Sequence, residues 1–127
     1  MSGNRYVLDT NAIIALLQGN DFLIKTLKEA EYIGVSFVSV IEFLSFPSLS
    51  LKDKTLFEKF IGRLDIITLP INELTALDTI ATYRKESGLK IPDVIIAIST
   101  LNNDAVLITN DKDFKKIPAL NSLNFTL

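Results

Sequence analysis

Four acidic residues lie within apolar stretches or directly after them: Asp9, Glu42, Asp93 and Asp111. Asp93 is followed by an unbroken apolar run at residues 94–98. A run of this kind behind Pro92 predicts a helix that is buried on most of its faces, with Pro92 at its first position. Clustered carboxylates repel one another, and a bound divalent cation is the ordinary reason for a fold to tolerate them.

The absence of two residue types narrows the possible chemistry. The chain contains no histidine and no cysteine. This excludes Ser-His-Asp and Cys-His catalysis, and it excludes zinc sites built from histidine and cysteine. Acid–base or metal chemistry must therefore use Asp, Glu, Lys, Tyr or water. Hard oxygen ligands of this kind suit Mg²⁺ or Mn²⁺.

Each acid also has a purely structural interpretation. Asp9 could cap a helix, Glu42 could belong to a narrow solvated stripe, and Asp111 could be a turn residue. Asp93 could simply complement the dipole in the first turn of its helix. A shared site is favoured when the four are considered together, because Asp9 and Asp111 both follow predicted strands.

Length and composition predict one globular domain spanning residues 1–127. No apolar run approaches the roughly 20 residues of a membrane helix, and the first residues lack the regions of a signal peptide. We therefore expect a cytoplasmic protein without a membrane partner. The net charge of -2 gives no overall attraction to nucleic acid, so an RNA partner would need local basic residues or bound metal.

Hydrophobic periodicity predicts strands alternating with helices. The predicted strands are residues 6–8, 32–36, 66–69 and 105–108, with an edge strand at 123–127. The predicted helices are residues 10–17, 22–30, 38–46, 51–64, 73–87, 92–101 and a short turn at 112–116. Asp21 is predicted to cap the second helix, with Ile24 facing inward, and Leu56 is predicted on the buried face of the helix at 51–64.

This order of elements predicts an α/β fold with a parallel sheet covered by helices. Sites in such folds lie at the carboxyl ends of the strands, where Asp9 and Asp111 are expected. A receiver domain fits less well, because its paired acids after the first strand are absent. No GxxxxGK[ST] or GxGxxG motif supports a phosphate-binding loop.

Four segments resemble the signature segments of PIN-domain proteins, and they are most similar to the VapC-type toxins of toxin–antitoxin systems. The segments are LDTN at 8–11, SVIEF at 39–43, PDVIIA at 92–97 and LITNDKDF at 107–114. The resemblance extends over almost the whole chain. It implies a three-layer α/β/α fold with a central parallel sheet of four to five strands.

The resemblance also implies a Mg²⁺- or Mn²⁺-dependent endoribonuclease. Its acidic quartet would be Asp9, Glu42, Asp93 and Asp111, with Asp113 a possible fifth ligand, and with Asn11 and Thr109 as supporting polar groups. The chain departs from many VapC-type toxins by carrying Asn110 and Asp111 after the threonine. This leaves open whether Asp111 or Asp113 is the closer to the metal.

Partners follow less directly from the sequence. The basic residues that could contact RNA phosphates are Lys112, Lys115, Lys116, Arg84, Lys85 and Lys90, although each could be ordinary surface charge. The apolar segment 43–49 could cover the core or form a dimer or antitoxin surface. The resemblance implies a homodimer and a small antitoxin partner. The alternative function is a non-catalytic PIN-like RNA-binding or regulatory module.

Overall fold

The computed structural model describes residues 4–127, in which five parallel strands form one sheet. The strands are β1 (Arg5–Leu8), β2 (Tyr32–Ser36), β3 (Asp65–Ile67), β4 (Val106–Ile108) and β5 (Ser122–Leu123). Their order across the sheet is β3-β2-β1-β4-β5. Tyr6 of β1 pairs with Ile33 of β2 on one side and with Val106 of β4 on the other. The predicted parallel sheet is confirmed.

Six α-helices connect the strands. They are α1 (Thr10–Leu17), α2 (Asp21–Lys28), α3 (Phe37–Leu44), α4 (Leu51–Ile61), α5 (Leu74–Ser87) and α6 (Ile91–Asn102), and a short 3₁₀ helix spans Lys112–Lys116. Gly88 ends α5 in the left-handed conformation at φ 73°, which a residue without a side chain adopts at little cost.

The core is divided between the two faces of the sheet. Val7 and Leu107 pack on one face with residues of α5 and α6. Leu8 and Ile108 pack on the opposite face with residues of α1 to α4. Successive residues of a strand point to opposite faces, so two fully buried neighbours such as Val7 and Leu8 require helices on both sides. This confirms the three-layer α/β/α architecture.

Three predictions of burial are wrong. Ile24 and Leu56 are exposed, because α2 buries only Leu23 and Leu27 and α4 buries only Phe57 among its residues. The apolar residues around Glu42 also predict that the helix at 38–46 is buried, but α3 is largely exposed: Ile41 is 57% exposed, and only Ser39 and Phe43 are buried. Periodicity identified these helices but did not reveal how narrow their buried faces are.

Several element boundaries also differ from the prediction. Asn20, rather than Asp21, caps α2 by accepting a hydrogen bond from the Leu23 amide. α6 begins at Ile91, which places Pro92 second. β5 ends at Leu123 because side chains then replace strand pairing: the Asn110 side chain both donates to the Phe125 carbonyl and accepts from its amide.

No helix within residues 4–127 has the length and apolar character needed to cross a membrane. The prediction that the first residues are no signal peptide falls partly on residues 1–3, which lie outside the described residues.

Candidate active site

Two of the acids lie at the carboxyl edge of the sheet. Asp9 directly follows β1, and Asp111 lies three residues after Ile108, the last residue of β4. Leu8 and Ile108 are partners in the parallel register, and the Asp9 amide donates to the Ile108 carbonyl at 3.1 Å. The pairing of the two central strands therefore sets where both acids lie.

The Asp9 carboxylate is buried and held from three directions. One oxygen accepts a hydrogen bond from the Thr10 amide at 2.8 Å, which makes Asp9 the N-cap of α1. The other accepts from the Thr109 hydroxyl at 2.7 Å and from the Asn11 amide group at 3.3 Å. The Thr109 hydroxyl in turn accepts from the Asp111 amide at 3.0 Å. Thr109 therefore links the two strand-end acids.

The other two acids come from helices. Asp93 lies in the first turn of α6, and Glu42 lies on α3. The Thr10 hydroxyl donates to Glu42 Oε1 at 2.8 Å, so α1 restrains the Glu42 side chain although Glu42 is exposed. Thr10 was not identified from the sequence as a site residue, although it directly follows Asp9.

All four acids border one cavity of about 300 Å³, which we call the acid cavity. Its lining residues are Asp9, Thr10, Asn11, Ile14, Glu42, Phe46, Asp93 and Asp111. Ile14 and Phe46 give it an apolar side that the sequence did not predict, since an exposed aromatic ring near acids has no signature in the sequence.

The charges in the acid cavity act on each other. Burial and, to a smaller extent, the negative charges of Asp9, Asp111 and Glu42 together raise the pKa of Asp93 to about 6, while Lys90 opposes them. Burial also raises the pKa of Asp9, although the hydrogen bonds from Thr109 and Thr10 lower it. Both carboxyls are therefore easier to protonate than an ordinary aspartate.

The donor set fits a hard divalent cation, because all four acids provide oxygen ligands. Within residues 4–127, none of the four forms an ion pair with lysine or arginine. No three acidic side chains of this part of the chain are grouped closely enough to hold a metal ion. Mutual repulsion keeps anionic side chains apart, so a bound cation would have to draw the carboxylates together.

The other predicted residues are placed differently. Asp113 does not line the acid cavity, and its carboxylate lies 3.8 Å from the Lys116 ammonium. Its amide donates to Asp111 Oδ1, which makes Asp111 the cap of the 3₁₀ helix. Lys90 is close enough to Asp93 to affect its pKa. The remaining basic candidates are exposed and do not border the cavity: Arg84, Lys85, Lys112, Lys115 and Lys116.

Comparison with known proteins agrees with this geometry. A family model described as PIN domain matches residues 6–120. The chain belongs to the PIN domain family. No match was found among curated proteins.

Solved structures share this PIN domain fold. The crystal structure of VapBC2 from Rickettsia felis bound to a promoter DNA fragment contains a chain that is 25% identical, with a TM-score of 0.75, over 95% of this chain and 98% of that one. A chain in the structure of VapBC-1 from nontypeable Haemophilus influenzae is 24% identical, with a TM-score of 0.75, over 94% of this chain and 96% of that one. A chain in the crystal structure of DNA-bound VapBC from Salmonella typhimurium is 20% identical, with a TM-score of 0.76, over 96% of this chain and 98% of that one. These likenesses establish the fold.

Proposed function

We propose that this PIN domain is a metal-dependent endoribonuclease and the toxin of a VapBC-type toxin–antitoxin system. The observation that carries the proposal is the placement of four carboxylates around one cavity at the carboxyl edge of the sheet. The raised pKa values of Asp9 and Asp93 support it, because perturbed acids in a cleft are typical of functional sites.

Asp9, Glu42, Asp93 and Asp111 would hold Mg²⁺ or Mn²⁺, and Asp111 is preferred to Asp113 because only Asp111 borders the cavity. When bound, the metal would supply Lewis-acid activation of water and neutralisation of charge at the phosphate. Thr109 and Asn11 orient the Asp9 carboxylate, and Thr10 orients Glu42. Preorganisation of this kind reduces the movement needed when substrate binds.

RNA is proposed as the substrate, and the metal would reduce the repulsion between its phosphates and the acids as well as assist cleavage. The cavity is negative, and Lys90 is the cation that acts on Asp93. Lys112, Lys115 and Lys116 lie on the 3₁₀ helix that follows Asp111, and we propose that they contact phosphates further along the strand.

The proposed partners are a second copy of the chain and a small antitoxin, and the proposed location is the cytoplasm. The exposed apolar residues of α3, Ile41 and Leu44, support a protein interface. The VapBC complexes among the similar structures support the antitoxin. Co-expression with the protein of a neighbouring small reading frame, followed by size-exclusion chromatography, tests both partners.

The proposed activity is tested by substituting site acids with their near-isosteric amides. Asp9→Asn and Asp93→Asn should lose nearly all Mg²⁺-dependent cleavage of a mixed RNA pool while keeping the circular dichroism spectrum of the wild type. Asp78→Asn is the matched control, because Asp78 is an exposed residue of α5. Attack by water should leave a 5′-phosphate and a 3′-hydroxyl.

Two results would reject the nuclease assignment. The first is full activity in a folded Asp9→Asn or Asp93→Asn protein, which would remove these acids from the site. The second is RNA binding by the wild type without cleavage at any Mg²⁺ or Mn²⁺ concentration, which is the behaviour of a non-catalytic RNA-binding module.

A further inference from the structure

A second cavity lies beside the acid cavity and shares two of its walls. This apolar cavity has a volume of about 360 Å³, and Ile14 and Phe46 line both cavities. Leu17, Phe43 and Leu49 complete its apolar walls, and Gln18, Ser48 and Asp53 add polar groups. A concavity lined mainly by apolar side chains with a few polar groups is typical of a small-molecule site.

Phe46 forms the boundary between the two cavities, and its position is fixed by neighbours. Its ring packs edge to face against Phe43 at 6.0 Å between centroids, and Phe43 stacks on Phe57 at 4.2 Å. The Phe46 amide donates to the Phe43 carbonyl, and its carbonyl accepts from the Leu49 amide. The side chain is nevertheless 39% exposed. A fixed ring with an open surface can stack on a ligand with little loss of conformational entropy.

We propose that the apolar cavity binds one unpaired nucleobase of the RNA, stacked on Phe46, next to the phosphodiester at the acid cavity. This rests on the proposed nuclease function. The two cavities are neighbours because Ile14 and Phe46 line both, so adjacent parts of one nucleotide can reach both. Unpaired bases are recognised by stacking on aromatic side chains and by hydrogen bonds to their edges.

The charge of the molecule favours a nucleobase as the occupant of the apolar cavity. The chain has a net charge of -2, and the acid cavity repels phosphates until metal binds. Affinity for RNA therefore has to come in part from contacts that do not depend on charge, and base stacking is such a contact. Gln18 can both donate and accept at a base edge, whereas the Asp53 carboxylate can only accept. The subsite therefore requires a single-stranded segment at the cleaved bond.

The test uses RNA binding by protein that cannot cleave. A short single-stranded RNA spanning a bond cut by the wild type is labelled, and its Kd is measured in an Asp93→Asn background. Phe46→Ala should weaken binding about 5- to 150-fold, which corresponds to about 1–3 kcal/mol for one stacked base. Phe46→Trp should retain wild-type affinity, and Phe46→Leu should weaken it while filling most of the space.

Two controls separate stacking from a loss of structure. Phe22→Ala removes another aromatic side chain of similar exposure, 36%, which borders neither cavity, and should leave the Kd unchanged. The second control is an RNA with an abasic nucleotide beside the cleaved bond. The protein that retains Phe46 should bind this RNA as weakly as Phe46→Ala binds normal RNA. The abasic RNA should then lose little further affinity on Phe46→Ala.

Three outcomes would overturn the proposal. The Kd could be unchanged in Phe46→Ala, or the abasic and Phe46→Ala losses could be fully additive, and either result means that no base stacks on Phe46. Phe46→Ala could instead abolish binding of a protein partner and leave RNA binding intact, which assigns the apolar cavity to that partner. Cleavage of the same RNA by the wild-type protein, measured in parallel, shows whether the nuclease function itself holds.

Discussion

Asp9 and Asp93 differ in how the protein compensates their charge. The Asp9 carboxylate accepts hydrogen bonds from Thr10, Asn11 and Thr109. Within residues 4–127, no hydrogen bond reaches the Asp93 carboxylate, and burial together with three negative neighbours raises its pKa to about 6. Asp93 is therefore the acid whose ionisation opposes folding most directly in the absence of metal.

This difference predicts a pH dependence of stability without metal. The folded pKa of Asp93 is above the ordinary aspartate value of 3.8, so its ionisation destabilises the fold. The penalty is absent below about pH 4, grows as the pH rises, and is complete above about pH 6. Asp93→Asn should therefore gain stability relative to the wild type across this interval, as measured by urea unfolding in EDTA.

Asp78→Asn provides the comparison, since Asp78 is exposed on α5 and its substitution should show no such trend. If Asp93→Asn instead lost stability relative to the wild type as the pH rises, the Asp93 carboxylate would stabilise α6 through the helix dipole. The first-turn dipole contribution lost in that case is about 0.3–1 kcal/mol.

At the scale of elements, the first residues of β1, β2 and β3 contact one another at the edge of the sheet opposite the acid cavity. The Tyr32 hydroxyl donates to Asp65 at the start of β3 at 2.6 Å, and the Arg5 guanidinium lies 4.3 Å from the Tyr32 ring centroid. Gly34 leaves room for this arrangement. A Cβ at Gly34 would lie 2.6 Å from the Tyr32 hydroxyl oxygen and 2.8 Å from Ile67 Cδ1.

Gly34→Ala should therefore destabilise the fold by about 1–3 kcal/mol, because it displaces Tyr32 and Ile67 from their packing. Gly62→Ala is the matched control. Gly62 has a helical φ of -63°, and its nearest neighbour would lie 3.6 Å from the new Cβ. This control should be stabilising by about 0.4–1 kcal/mol. Equal urea-unfolding midpoints for Gly34→Ala and Gly62→Ala would contradict this prediction, because they would show that Tyr32 can move aside without loss of stability.

For the whole molecule, the sequence predicted the order of elements and the side of the sheet that carries the acids. Both follow from short-range patterns: apolar strands ending at Asp9 and near Asp111, and an apolar helix opening with Asp93. Features that depend on tertiary contacts were not predictable in this way. The Thr10 bond to Glu42 joins residues 32 apart, and Asn110 replaces strand pairing with Phe125.

Burial was predicted less well because hydrophobic periodicity does not show how many residues of a helix will be buried. Ile24 and Leu56 fit the apolar periods of α2 and α4, yet only one or two residues of each helix reach the core. The position of Phe46 between two cavities depends on its packing against Phe43, which in turn stacks on Phe57, and nothing in the local sequence specifies it.

Direct measurement of Mn²⁺ binding tests the central claim that the four carboxylates form one metal site. Titration calorimetry of the wild type at neutral pH should show saturable binding. Asp93→Asn should weaken it by more than the roughly 10- to 100-fold that loss of a group outside the first coordination shell costs. Asp113→Asn and Asp78→Asn should bind as the wild type does. Absence of binding by the folded wild type, or equal affinity in Asp93→Asn, would contradict the account.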